Sequence, residues 1–242
     1  GDIIEQCMEL GFRSYIIADP ALLVYLKKRG ISCEIHLSGE TGEVNREMAK
    51  MFRRFPLKRI IFHRKNTFQD MQSVIAAERE AEKQSGIRPE KGMEFEAFVL
   101  NEMCQFTGAF CNSLHCDEMG YLCRVPYWLG TVRDDDVIPE KMRDLQAQVW
   151  EREPDPSAYD DTDYLCGETG CGLCALYRMK QAGITHLKLV GRGNYVDHME
   201  KDIRNLRKAL DILETAENEE RFQCTIKRTV FPHGCSGKCY YR

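Results

Sequence analysis

Short apolar runs alternate along the chain with stretches whose apolar residues recur every three or four positions. Ser14–Ala18 (SYIIA), Cys33–Leu37 (CEIHL), Arg59–His63 (RIIFH), Glu94–Leu100 (EFEAFVL) and His186–Val190 (HLKLV) read as strands. Between them the pattern predicts helices over Pro20–Lys28, closed by Gly30, over the amphipathic Asn45–Phe55, and over Thr67–Gln84, with Thr67 and Asp70 near its start. A helix over Cys174–Ala182 ends at Gly183, and a long final helix runs Val196–Ala216. The opening GDIIEQCMELG reads as a helix feeding the first strand. Repeated strand–helix units of this length favour a parallel sheet with crossover helices, either open or part of a barrel. A chain that starts on a helix is expected to lack the first strands of such a barrel.

Two segments break this rhythm. Residues 101–130 are loop-like, with Gly108, Gly120 and Pro126, and residues 151–165 (EREPDPSAYDDTDYL) form an acidic, proline-containing excursion. After Glu220 the chain turns basic, aromatic and cysteine-bearing (FQCTIKRTVFPHGCSGKCYYR). The expected organisation is an α/β domain over residues 1–220 with cysteine-rich loops, and a small tail over 221–242.

Composition narrows the class. The 242 residues suffice for one large core, and 30% charged with 43% hydrophobic residues is ordinary for a globule. The net charge of −4 argues against a wholesale nucleic-acid coat and leaves room for a local basic patch. No basic segment precedes an apolar core near the start, and no apolar run approaches the roughly 18 residues of a membrane span. The chain is therefore expected to be cytoplasmic, where a disulfide framework is not expected.

Twelve cysteines change the picture most, seven of them between Cys104 and Cys174. Thiolates at this density are soft-metal ligands, suited to iron–sulfur clusters, zinc or copper(I). Cys104 and Cys111 form C-x6-C, which is not the two-to-four-residue spacing of structural zinc. CGETGCGLC, carrying Cys166, Cys171 and Cys174, has the C-x4-C-x2-C spacing of plant-type ferredoxins. Cys104 follows one predicted strand, and Cys171 and Cys174 lead to the next, so thiols distant in sequence can meet at one face of a parallel sheet. Cys7 and Cys33 read as small buried hydrophobes. Cys235 and Cys239, after His233, have the spacing of a small metal clip.

Other chemistry is sparser. Arg192, between Gly191 and Gly193 before the last helix, is a candidate for a substrate carboxylate or phosphate. His36 ends a strand and is a candidate acid, base or substrate contact; His63 and Arg64 are weaker candidates of the same kind. Glu96, on a strand near the thiols, is a candidate general acid or base, or an arginine's partner. His115 and Asp117 lie beside the thiols as outer-shell or zinc ligands. Arg53, Arg54, Lys58, Lys227, Arg228, Lys238, Tyr240 and Tyr241 interleave base and ring as a nucleic-acid surface would, although such charges are more often a solvated face. No phosphate-binding loop, H-E-x-x-H or G-x-S-x-G occurs.

The run EAFVLNEMCQFTGAFC resembles the signature of peptidase family U32, through Glu96, Phe98, Met103, Cys104 and Cys111; Asn101 and Glu102 stand where small residues are usual, and Gly108 sits one place early. CEIHLSGETGEVN, LKRIIFHRKNTFQDM, CRVPYW and AGITHLKLVGRGNYVDHMEKDIRNLRKAL resemble further family elements, over roughly residues 10–215. The resemblance implies a TIM-barrel-like (β/α) domain, entered partway through, that holds one [4Fe-4S] cluster. By position it assigns Cys104, Cys111 and Cys171 as ligands, with Cys123 favoured over Cys116 as the other. It leaves Cys166, Cys174, Cys235 and Cys239 for a second centre, zinc or iron–sulfur, or as plain thiols. It also implies oxygen-independent hydroxylation of RNA or a quinone, with a prephenate-like carboxylate as oxygen source for RNA. The alternatives are a non-catalytic iron–sulfur electron-transfer or scaffold subunit beside a related partner, and the peptidase of the family's historical label.

Overall fold

The computed structural model describes residues 1–88, 91–101, 164–191 and 195–241. Five strands, β1 (Ser14–Ile17), β2 (Glu34–Leu37), β3 (Leu57–Ile61), β4 (Glu94–Leu100) and β5 (His186–Leu189), lie in the order β1-β2-β3-β4-β5. Every neighbouring pair is parallel. Sequential order without reversal is the winding of a barrel rather than of a doubly wound sheet, and the five strands curl into half a barrel.

The helices are α1 (Asp2–Glu9), α2 (Pro20–Arg29), α3 (Arg46–Phe52), α4 (Phe68–Gln84), α5 (Leu176–Ala182), α6 (Val196–Thr215) and α7 (Glu219–Thr229). Four of these seven starts carry side-chain caps. Asp19 accepts from Ala21 N, Asn45 from Met48 N, Thr67 from Asp70 N and Asn218 from Arg221 N, each worth about 1 kcal/mol against alanine. Helix α2 stops at Gly30, whose φ of 68° is the left-handed conformation a residue with a Cβ resists. No described helix is long and apolar enough to cross a membrane.

Alternation along the strands separates two faces. Ile17, Ile35, Leu37, Ile60, Phe95, Ala97 and Val99 face the helices and join one core with Leu23, Leu26, Met71, Val74 and Leu176. Each large side chain fully buried there contributes roughly 1.5–3 kcal/mol. The other parity, Ser14, Glu34, His36, Arg59, Glu94, Glu96, Phe98, His186 and Lys188, lines the inner face of the half-barrel. That face is charged, as the inside of a site-bearing barrel is and a second apolar layer is not.

Three boundaries differ from the sequence expectation. β3 ends at Ile61 because the next residues turn into a loop, with His63 N donating to Asn66 Oδ1 and Lys65 N to His63 Nδ1. Helix α3 ends at Phe52 and the chain turns before Pro56, whose ring disfavours helix at the residue before it. The segment from 221 onward begins inside helix α7, whose Phe222 and Ile226 are fully buried in the same core.

Candidate functional site

At the inner face, charge is organised in pairs. Arg59 donates Nε and Nη2 to Glu94 Oε2 at 2.9 and 2.8 Å, and Nη1 to Glu96 Oε2 at 2.7 Å. Lys188 approaches Glu96 Oε1 at 3.3 Å, and Lys58 approaches Glu94 Oε1 at 3.0 Å. Burial works to raise the Glu94 pKa, but the hydrogen bonds and charges of Arg59 and Lys58 outweigh it and hold the carboxyl at about 2. Glu96, a candidate acid or base, is thus a buried carboxylate held by two cations. His36 stands on the same face with Nε2 3.1 Å from Glu34 Oε1, and Ser14 Oγ donates to the same oxygen at 2.7 Å. A histidine oriented by a carboxylate can take up and release a proton at a defined nitrogen.

The carboxyl ends of the strands carry the second group. His63 is fully buried, its Nδ1 accepts the Lys65 N–H, and its Nε2 finds no partner among the described residues. Burial lowers its pKa, so the neutral ring keeps its proton on Nε2. Arg64 lies over the Phe98 ring at 3.9 Å and donates Nη1 to Glu40 at 3.2 Å, while its buried Nε has no partner. These are two buried N–H donors without a partner among the described residues, each ring or guanidinium held by its own neighbour.

Asn101 ends β4 with φ 70°, unusual for a residue other than glycine. Its N donates to Gly170 O at 2.8 Å and its carbonyl accepts from Tyr240 Oη. Its Nδ2 donates to Asp202 Oδ2 at 2.6 Å. Asp202 is fully buried and also accepts from Tyr164 Oη at 2.7 Å and Gly167 N at 3.4 Å. The sequence reading missed this node. Its signal was present: Asp202 lies on the buried stripe of α6 with Leu206, Ala209 and Leu213, where an acid needs partners.

The thiols gather around the same strand end. Leu100 and Cys171 form an antiparallel bridge, and Gly172 N donates to Val99 O at 2.7 Å. Cys166 and Cys171 are both buried. Burial raises their pKa values, that of Cys171 to about 12. Such thiols stay protonated unless a metal takes the proton's place. Cys174 and Cys239 are half-buried and Cys235 is exposed. Among the described residues no three histidine, cysteine or acidic side chains already stand as a metal site.

Cys104, Cys111, Cys116, Cys123, His115, Asp117 and Arg192 lie outside the described residues. Of the proposed basic and aromatic surface, Arg53 is paired with Glu78 and Lys58 with Glu94. Tyr240 and Tyr241 spend their hydroxyls on Asn101 O and Phe98 O, and the Tyr241 ring packs on Phe68 at 5.1 Å. These two rings are structural props rather than open stacking platforms.

A family model, that of peptidase family U32, matches residues 1–241. No curated protein and no solved structure matches the chain.

Proposed function

The chain belongs to peptidase family U32, and from that premise we propose that it is an iron–sulfur enzyme akin to the family's oxygen-independent hydroxylases of RNA or quinone. The observation that carries this reading is the placement of buried thiols at the edge of β4. Cys171 is bridged to Leu100, and the described chain stops at Asn101, three positions before the C-x6-C segment. The ligands by family position are Cys104, Cys111 and Cys171, with Cys123 favoured over Cys116 as the other. The donor set fits the group: among the described residues the turn beside β4 offers two buried soft thiols, Cys166 and Cys171, the former also touching Asp202. A [4Fe-4S] cluster held there supplies one-electron redox chemistry.

The chain's own residues do the rest. His36, oriented by Glu34, is the candidate for moving a proton on the inner face. Glu96 fixes Arg59 and Lys188 rather than acting as a free base. His63 Nε2 and Arg64 Nε, with Arg192 by family position, are suited to a carboxylate such as that of a prephenate-like oxygen donor. Engagement of Glu96 by two cations also favours a second reading, a non-catalytic iron–sulfur subunit beside a related partner, because it removes the best-placed carboxylate from acid–base work.

Anaerobic purification with iron and sulfide analysis tests the cluster. Four of each per chain and a visible absorption band are expected in the wild type, and both should vanish in Cys104→Ser; an iron-free wild type sinks the reading. Enzyme and subunit separate in vivo. A modified nucleoside or quinone lost on gene deletion should return with wild type but not with His36→Ala, whereas rescue by His36→Ala points to the subunit. Proteolysis that survives iron removal would instead support the peptidase.

A further inference from the structure

We propose that the end of the half-barrel at which its strands begin is a docking face for an anionic lipid bilayer. All five strands are parallel and run in sequence order. The loops that enter them therefore share one end, opposite the thiol turn at the close of β4. Those loops are loaded with cations. Arg13 precedes β1, Lys27, Lys28 and Arg29 precede β2, and Arg53 and Arg54 precede β3, with no acid among residues 10–13, 27–33 and 53–57. The loop before β4 adds Arg88 and Lys91 against Glu90. The whole chain carries a net charge of −4, so this end runs against the sign of the molecule.

Most of these cations are not spent on carboxylates. Among the described residues Arg53 pairs with Glu78, but Arg13, Lys28, Arg29, Arg54, Arg88 and Lys91 are exposed and enter no ion pair. Backbone oxygens orient some of them. Arg13 donates to Phe12 O at 3.1 Å, and Arg54 Nε to Met51 O at 2.9 Å. Lys27 Nζ donates to Arg54 O at 2.8 Å, which ties the second loop to the third. A carbonyl orients a cation without cancelling its charge. Of the acids near this end, Glu34 is held by Ser14 and His36, Glu94 by Lys58 and Arg59, and Glu82 by Arg79. That leaves Glu9, at the end of α1, to set against the cations.

The helix dipole alone accounts for cations in the last turn of a helix. It does not account for Leu10, Phe12 and Ile87, which are 79%, 62% and 46% exposed. Leu10 and Phe12 sit in the loop before β1 and Ile87 in the loop before β4, so apolar tips flank the basic loops between them. Uncompensated cations among protruding apolar side chains fit a bilayer surface: the charges meet anionic headgroups and the tips enter the headgroup–acyl boundary. Nucleic-acid phosphates would use the cations and leave Leu10 and Ile87 without a role. No described helix can span a membrane, so the contact is peripheral, with the thiol-bearing strand ends facing away from the bilayer.

The test is sedimentation of the full chain with unilamellar vesicles, either phosphatidylcholine and phosphatidylglycerol in equal parts or phosphatidylcholine alone. Binding to the mixed vesicles that weakens as salt rises, and little binding to the neutral ones, is expected. Lys28→Gln with Arg29→Gln should weaken it about thirtyfold. Leu10→Ser with Ile87→Ser should weaken it about tenfold. All four positions are exposed, so circular dichroism should not change. Neither pair touches the thiols, so iron and sulfide content should not change either, and the result stands apart from the cluster reading. Absent binding, equal binding to both vesicle types, or either pair binding like wild type would overturn the proposal. An RNA duplex that strips the chain from mixed vesicles, and that Leu10→Ser with Ile87→Ser binds as wild type does, would overturn it in favour of nucleic acid.

Discussion

Replacing Arg59 by leucine asks whether the inner face is held together by its ion pairs. The guanidinium is 19% exposed and its two carboxylate partners 24% and 8%. The cluster therefore lies between a surface pair worth under about 1 kcal/mol and a dry pair whose disruption costs about 3–5 kcal/mol. The fall of the Glu94 pKa from an ordinary 4.5 to about 2 corresponds to a ceiling of about 3 kcal/mol. Lys58, at 3.0 Å, supplies part of that, and partial exposure screens more, leaving Arg59 about 1–2 kcal/mol through Glu94. Leaving the buried Glu96 with Lys188 alone adds about 1 kcal/mol. Arg59→Leu should thus lose ~2–3 kcal/mol at pH 7. Because the folded pKa of Glu94 is depressed, its contribution is whole above pH 4.5 and is lost as pH falls toward 2. The deficit of the variant should accordingly shrink to about 1 kcal/mol near pH 2. Urea unfolding of both proteins at pH 7, 5, 3 and 2, followed by far-ultraviolet circular dichroism, measures it. A deficit below about 0.5 kcal/mol at neutral pH, or one that stays constant through the acid range, would refute the reasoning.

Substitutions at three further positions probe the support of the thiol turn. Phe222→Ala empties a fully buried site on α7 and should cost about 3–5 kcal/mol in urea unfolding, with earlier proteolytic nicking of the tail. Gly167→Ala adds a Cβ at φ 69°, 2.7 Å from the Cys171 Cβ; about 1–3 kcal/mol of strain and a lowered metal content should appear together, and unchanged metal content would show that the turn is not a ligand platform. Asp202→Ala strands the donors of Asn101 and Tyr164 in a buried site, for a loss of about 2–4 kcal/mol; Asp202→Asn should recover part of it, because its amide oxygen still accepts, and no recovery would count against the hydrogen-bond account.

The strand–helix order was legible because strand and helix periodicities alternate cleanly and several helices begin at a short polar cap, as at Asp19 and Thr67. Helix α7 was not, because its apolar residues, Phe222, Ile226 and Val230, are diluted by Lys227, Arg228 and cysteine, so the stretch reads as a basic tail. The thiols were legible as a metal resource by number alone. The pairing that brings Cys171 beside Cys239 was not, since it is a backbone bridge that no local pattern encodes. Glu96 and Arg59 show the same limit. Each is visible as a charged residue on a strand, but only the register that sets Arg59 beside Glu94 and Ile61 beside Glu96 shows that they satisfy one another.

Asn101 explains why the distant pieces depend on one another. A left-handed conformation at a residue with a Cβ costs about 1–2 kcal/mol and persists only where its surroundings over-determine it. Here they do so from three directions: the thiol turn through Gly170 O, helix α6 through Asp202, and the tail through Tyr240. The C-x6-C segment follows this residue in sequence, and the direction in which the chain leaves β4 is set at Asn101 by these three contacts. The tail holds Tyr240 against the Asn101 carbonyl, and Cys239, the residue before it, is bridged to Cys171. On this geometry the tail is a support for the exit of β4.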